Sequence, residues 1–104
     1  MISEIFKILL GLDSKDESIY IAARKLGSQP ASVIACAVGL KRGDTYNHLM
    51  KMVELGIFRI KNISGVTRFE AMSPLYIRGL IARRKLILTR AEEKFMRLVL
   101  RGDI

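Results

Sequence analysis

The stretch Val33 to Gly56, VIACAVGLKRGDTYNHLMKMVELG, constrains the fold more than any other part of the chain. It reads as a short helix ending at Val38, a tight turn at Gly39-Leu40-Lys41 and a second helix from Arg42 to Leu55. Gly39 follows the last apolar position of the first helix, where a left-handed residue lets the chain leave without a Cβ clash, and Gly56 repeats the device. Ala35, four residues before Gly39, is small where two helices must cross closely, and the turn sets them at a steep angle. The spacing predicts a helix-turn-helix, whose second helix lies in a DNA major groove.

The flanks add two helices before this pair. Ile2 to Leu10 is apolar at positions 2, 5, 6, 9 and 10, one helix face, and Gly11 ends it. Asp13 then reads as an N-cap with Asp16 three residues on, an Asp variant of the capping box. Ile19, Tyr20, Ala23 and Leu26 form the apolar stripe of that helix, which Gly27 closes. Ser28-Gln29-Pro30 is a turn or a very short extended link, because Pro30 disfavours the helical region for Gln29.

After the pair, Ile57 to Lys61 and Thr67 to Met72 both alternate with period two, with Asn62 to Val66 between them, which predicts a β-hairpin. Phe58 and Ile60 oppose Arg59 and Lys61 in the first run; Phe69 and Ala71 oppose Arg68 and Glu70 in the second. Helices followed by a ribbon with a basic tip give the expected class: a mainly α (α+β) winged helix-turn-helix, with Arg59, Lys61 and Arg68 of the wing over the phosphate backbone. Ser73-Pro74 starts a last helix, a capping hydroxyl followed by proline at the first helical position. One apolar stripe runs through Ile77, Leu80, Ile81, Ile87, Leu88, Ala91, Phe95, Leu98 and Val99. Continuous to Leu100, this helix is roughly 40 Å long, more than a small winged helix can cover. The expectation is a homodimer joined through Ile77, Ile81, Leu88 and Phe95. Arg84 interrupts the stripe, and Thr89-Arg90-Ala91-Glu92 is a capping box that offers an alternative break near Leu88. The domain reading is 1–73 for DNA and 74–104 for pairing.

Charge points the same way. The 18 Lys and Arg outnumber the 10 Asp and Glu, for a net charge of +8, and residues 1–40 carry four of each sign, so the excess lies in residues 41–104. That asymmetry suggests a polyanion partner for the second helix and the residues beyond it. Hydrophobic residues make up 50% of so small a basic chain, which favours apolar surface buried between subunits. A single cysteine, Cys36, excludes an intramolecular disulfide, and no apolar run approaches the length of a membrane span. A soluble, cytoplasmic protein is expected.

The run LGLDSKDESIYIAARKLG, then ASVIACAVGLKRGDTYNHLMKMVELGI, resembles the N-terminal DNA-binding domain of the TrmB-like family of archaeal and bacterial transcription regulators, and Ala71-Met72-Ser73-Pro74 resembles the junction at which that family enters its linker helix. The resemblance implies sequence-specific binding of double-stranded DNA as a dimer. Larger members carry a C-terminal sugar-sensing domain; about 30 residues follow the wing here, so no carbohydrate effector is carried over and any small-molecule effector is unknown.

Two registers are open for the second helix. A plain wheel turns Tyr46, Leu49, Met50, Met52 and Val53 inward and leaves Asp44, Asn47, His48 and Lys51 outward. The resemblance implies instead that Thr45, His48, Leu49 and Met52 face the core while Arg42, Gly43, Asp44, Tyr46 and Asn47 face outward, with Lys51 on the flank. By residue type, Arg42 at the helix N-terminus suits guanine or phosphate, Asn47 suits adenine, and Asp44 accepts from cytosine or excludes a phosphate. Lys41, Tyr46 and Lys51 suit phosphate contacts that set register. No enzyme is expected: Cys36 and His48 lack an orienting third group, the Glu92-Glu93 pair sits on an exposed helix, and one His and one Cys are too few for a structural zinc site. No metal or cofactor is implied. The rival classes are a winged helix used as a protein-interaction module and a sequence-indifferent architectural DNA binder.

Overall fold

The computed structural model describes residues 2–104, with the side chains of Ile2, Ser3, Ile5 and Leu9 left out. The helices are α1 (Ile2–Leu10), α2 (Ser14–Leu26), α3 (Ala31–Val38), α4 (Arg42–Glu54) and α5 (Pro74–Leu100), and β1 (Phe58–Ile63) and β2 (Val66–Ala71) lie between α4 and α5. Of the apolar face expected on α1, positions 2, 5 and 9 fall outside the described side chains, while Phe6 and Leu10 are buried.

Local sequence signals set most boundaries. Asp13 caps α2 as the capping box requires: the Asp16 N–H donates to Asp13 Oδ1 at 2.9 Å, and the Asp13 N–H donates to Asp16 Oδ2 at 3.0 Å. The bond from the Asp16 N–H is the main reason the Asp13 carboxyl is held below its ordinary range. At the end of α3 the Leu40 N–H reaches the Ala35 carbonyl while the Gly39 N–H reaches that of Cys36, a Schellman closure that needs Gly39 at φ +70°. The α4 terminus repeats it, with Ile57 bonded to Met52 and Gly56 to Val53.

The core draws on all five helices and both strands. Phe6, Leu12, Ile19, Tyr20, Ala23, Ile34, Leu49, Met52, Ile57, Phe58, Phe69 and Ile77 form one buried cluster. Tyr20 stands edge-on to both Phe6 and Phe58, at centroid separations of 5.5 and 6.2 Å, each pair adding about 0.5–1.5 kcal/mol beyond burial. Its hydroxyl donates to the Met72 carbonyl at 2.8 Å, which ties α2 to the exit of the hairpin.

The hairpin is tighter than its period-two runs suggest. Six antiparallel pairs extend to Ile63 opposite Val66, leaving a two-residue turn. Ser64 and Gly65 both take positive φ, 52° and 78°, as a type I′ turn demands. The extended link after α2 joins the sheet: Gln29 and Phe69 exchange backbone hydrogen bonds at 2.8 and 3.2 Å, so β2 is flanked on both sides.

One unbroken helix, α5, runs through Arg84 and Thr89. Thr89 does not cap a new helix, because its hydroxyl donates to the Lys85 carbonyl one turn back. The first turns of α5 belong to the chain's own core: Ile77 is buried, and Leu80 and Ile81 pack against the cluster. The rest projects, giving the molecule a long axis of 57 Å against 26 and 24 Å.

Candidate nucleic-acid interface

The register of α4 comes from how it crosses α2 and α3. Thr45, Leu49 and Met52 are fully buried and His48 is largely so, while Lys41, Arg42, Gly43, Tyr46 and Asn47 are exposed. This is the second of the two registers; the plain wheel fails at Tyr46, which it turned inward, and at His48, which it turned out. Tyr46 is 44% exposed and stands edge-on to Phe69 of β2, at 5.9 Å, which braces the helix against the hairpin.

A charged cluster fixes that register. Asp16 of α2 is completely buried, yet His48 Nδ1 lies 2.6 Å from its Oδ1 and the Lys51 ammonium 2.7 Å from its Oδ2. A carboxylate only accepts, so the hydrogen bond to Asp16 needs a proton on Nδ1 of His48. The other ring nitrogen is 3.5 Å from Asp44, which is also 3.5 Å from Lys15. His48 therefore fills a core-edge position that an apolar residue would otherwise take, with both nitrogens facing carboxylates. Two of the expected DNA contacts change character as a result: Lys51 is held against Asp16, and Asp44 is shared between His48 and Lys15. Asp13, Asp16 and His48 also bring ligand-type atoms within 4.8 Å of one another. That set is spent on the capping box and on Lys51, whose ammonium already supplies the cation.

The hairpin departs from a free basic ribbon. Arg59 is directly opposite Glu70 in the ladder and Lys61 is diagonal to it, and both bind the Glu70 carboxylate, Lys61 at 3.1 Å. The hydrogen bond from Lys61, then that from Arg59, holds the Glu70 carboxyl below its ordinary range. A depressed folded value means that this contribution is present above the unfolded pKa and lost only as pH falls through the lower one, far from neutrality. Arg68 turns to the Ser28 carbonyl at 3.2 Å. The turn itself is Ile63-Ser64-Gly65-Val66, without a cation, and Ile60, Ile63 and Val66 are exposed. The expected basic tip is thus corrected: alternation places charges on one face but is silent about the glutamate on the opposite strand.

Neither a protein-family model nor a curated protein matches the sequence. Solved structures do. A possible transcriptional regulator from Methanosarcina mazei superposes with a TM-score of 0.72 at 14% identity, over 92% of this chain and 86% of the other. TrmBL2, an archaeal chromatin protein, gives 0.81 at 12% identity, over 96% of this chain and 39% of its own. A MarR family protein from Bacillus stearothermophilus gives 0.60 at 15% identity, over 96% and 74%. The chain folds as a winged helix-turn-helix. At these identities the likeness is one of fold.

In this winged helix, a cleft opens between the start of α3, the outer face of α4 and the wing, lined among others by Ser32, Arg42, Tyr46, Val66 and Thr67. Ser32 lies on no charged or periodic pattern, and Thr67 is an uncharged member of the alternating run of β2, so the sequence marks neither as a site residue; only the approach of the wing to α3 brings them beside Arg42. Cys36 is exposed on α3. Ile77, expected on the pairing surface, is buried in the core of its own chain and offers no free face, whereas Leu88 and Phe95 are 56% and 53% exposed. No helix among the described residues is long and apolar enough to cross a membrane.

The wing's charge can be measured. Glu70→Gln is expected to free Arg59 and Lys61, steepening the log–log salt dependence of duplex binding by about 1 and raising affinity for every sequence. Fluorescence anisotropy across a salt series reads this out. An unchanged slope would place the wing away from the duplex.

Proposed function

We propose that this winged helix is a transcription regulator that binds double-stranded DNA sequence-specifically as a homodimer. The observation that carries the reading is the outer face of α4: Lys41, Arg42, Tyr46 and Asn47 stand exposed beside the wing while Thr45, Leu49 and Met52 anchor the helix from behind. Within winged helices, the Leu10 to Ile57 run supports a TrmB-like assignment. The names of similar structures agree with the class, since they include a possible transcriptional regulator and an archaeal chromatin protein with a novel mode of DNA binding. Residues 1–73 would hold the DNA. Residues 74–104 would join the subunits through the exposed part of the α5 stripe, with Leu88 and Phe95 at its centre and Ile81 at its edge.

Base reading falls to Arg42 and Asn47, because both are exposed and neither forms an ion pair or side-chain hydrogen bond among the described residues. Selection of binding sites from a random duplex library should return an inverted repeat. Arg42→Ala and Asn47→Ala should each reduce discrimination between selected and random duplexes by about 1–3 kcal/mol, while Lys61→Ala weakens all sequences alike. Gel shifts in which all three variants behave identically would remove these roles.

A second reading has one specific observation behind it. The exposed Ile60, Ile63 and Val66 of the uncharged wing tip suit a protein partner better than a phosphate backbone. Loss of duplex binding under all salt conditions would favour that reading.

A further inference from the structure

Among the described residues, a dense set of unpaired charges lies on α5 rather than on the winged domain. Pro74–Leu100 carries seven Lys and Arg against two Glu, and four of these cations, Arg83, Arg90, Lys94 and Arg97, recur at steps of seven, four and three residues. At 3.6 residues per turn they share an arc of about 60° and a line about 21 Å long. All four are exposed, and none forms a salt bridge among the described residues, Glu92 and Glu93 included.

This arrangement works against the helix. Arg90, Lys94 and Arg97 are like charges at i,i+4 and i,i+3, each pair of which disfavours an isolated helix. It also lies apart from the other surfaces. The line is roughly 150° round the helix from Ile81, Leu88 and Phe95, so pairing through those residues leaves it open. The first turns of α5 pack behind the C-terminal end of α4, where Leu80 meets Gly56, and α4 places Arg42 about 20 Å away at its other end.

We propose that this cationic line is a second nucleic-acid contact, which grips the phosphate backbone of a stretch of duplex other than the one held by α4 and the wing. Each strand of a duplex presents a charge about every 3.4 Å of axis, so a 21 Å row of cations meets a continuous ladder of anions rather than the scattered carboxylates of an acidic protein. The inference rests on the duplex-binding reading of α4, which brings the first DNA segment. It adds that one assembly holds two.

The test uses the full chain, a bead-bound duplex and a labelled duplex in solution. The wild type is expected to retain the labelled duplex on the beads. The triple variant Arg90→Gln, Lys94→Gln, Arg97→Gln should retain at least about tenfold less, with the salt slope for the second duplex shallower by about 2.7 for three lost contacts. Its binding to a single short duplex and its mass by light scattering should match the wild type. Replacing the arginines by lysine instead should restore retention. Equal retention by the triple variant overturns the proposal, as does a proportional loss on the single short duplex, which would assign the line to the first segment. A wild type that binds one duplex but never a second overturns this inference alone; one that binds no duplex overturns the reading of α4 with it.

Discussion

Asp16→Ala is expected to cost about 3 kcal/mol of folding stability, near the lower end for breaking a buried charge pair, and to lower the melting temperature by at least about 12 °C. The loss has three sources. The α2 cap loses half of its reciprocal pair, because the Asp13 N–H no longer has Asp16 Oδ2 to reach. His48, whose side chain is only 13% exposed, keeps a buried N–H without its acceptor. Lys51 loses its partner too, but at 42% exposure it can turn into water, which keeps the total from being larger. Circular dichroism followed through thermal and urea unfolding measures the change. A shift under about 1 kcal/mol would mean that water reaches the cluster and that the α2–α4 linkage holds little together. The consequence extends to function, because the same three side chains set the rotation of α4 and therefore which residues face outward.

Phe95→Glu addresses the other end of the molecule. Phe95 lies outside the core cluster of its own chain, so the substitution should leave the helical content and melting of the single chain unchanged. In the proposed dimer it places a carboxylate in the middle of an apolar seam next to Leu88 and Val99. Light scattering at micromolar concentration should then change from a dimer to a monomer. Affinity for an inverted repeat should fall by about 10²–10⁴-fold, because each recognition helix must bind without the effective concentration supplied by its twin. A single half-site should bind as before. If the variant remains dimeric, the seam is elsewhere; if the wild type is already a monomer, the exposed stripe on α5 has another use.

These two positions also divide what could be read from the sequence from what could not. Asp13 with Asp16, Gly39, Gly56 and Ser73-Pro74 act through bonds within a few residues of themselves, so they announce the helix ends without reference to the rest of the chain. The hairpin followed from alternation, and the continuity of α5 from its stripe, although Thr89 had to choose between capping forward and bonding back to Lys85. Side-chain period alone gave α4 one rotation, which turned Tyr46 inward and His48 out; the rotation found in the structure came from the resemblance.

Contacts across long separations were invisible at that level. His48 and Lys51 meet Asp16 over 32 and 35 residues, and nothing in the spacing of a histidine, a lysine and an aspartate says that one buried pocket will hold all three. The neutralised wing has the same origin: Arg59 and Lys61 look free until strand pairing sets Glu70 between them. Ile77 looked like part of a seam because its period matched that of Leu88 and Phe95, but it sits on the turns of α5 that the chain's own core covers. Local hydrogen bonds and hydrophobic period specify elements one at a time. Which charges are spent and which remain for a partner depends on the packing of elements distant in sequence, and that is settled only when the chain closes on itself.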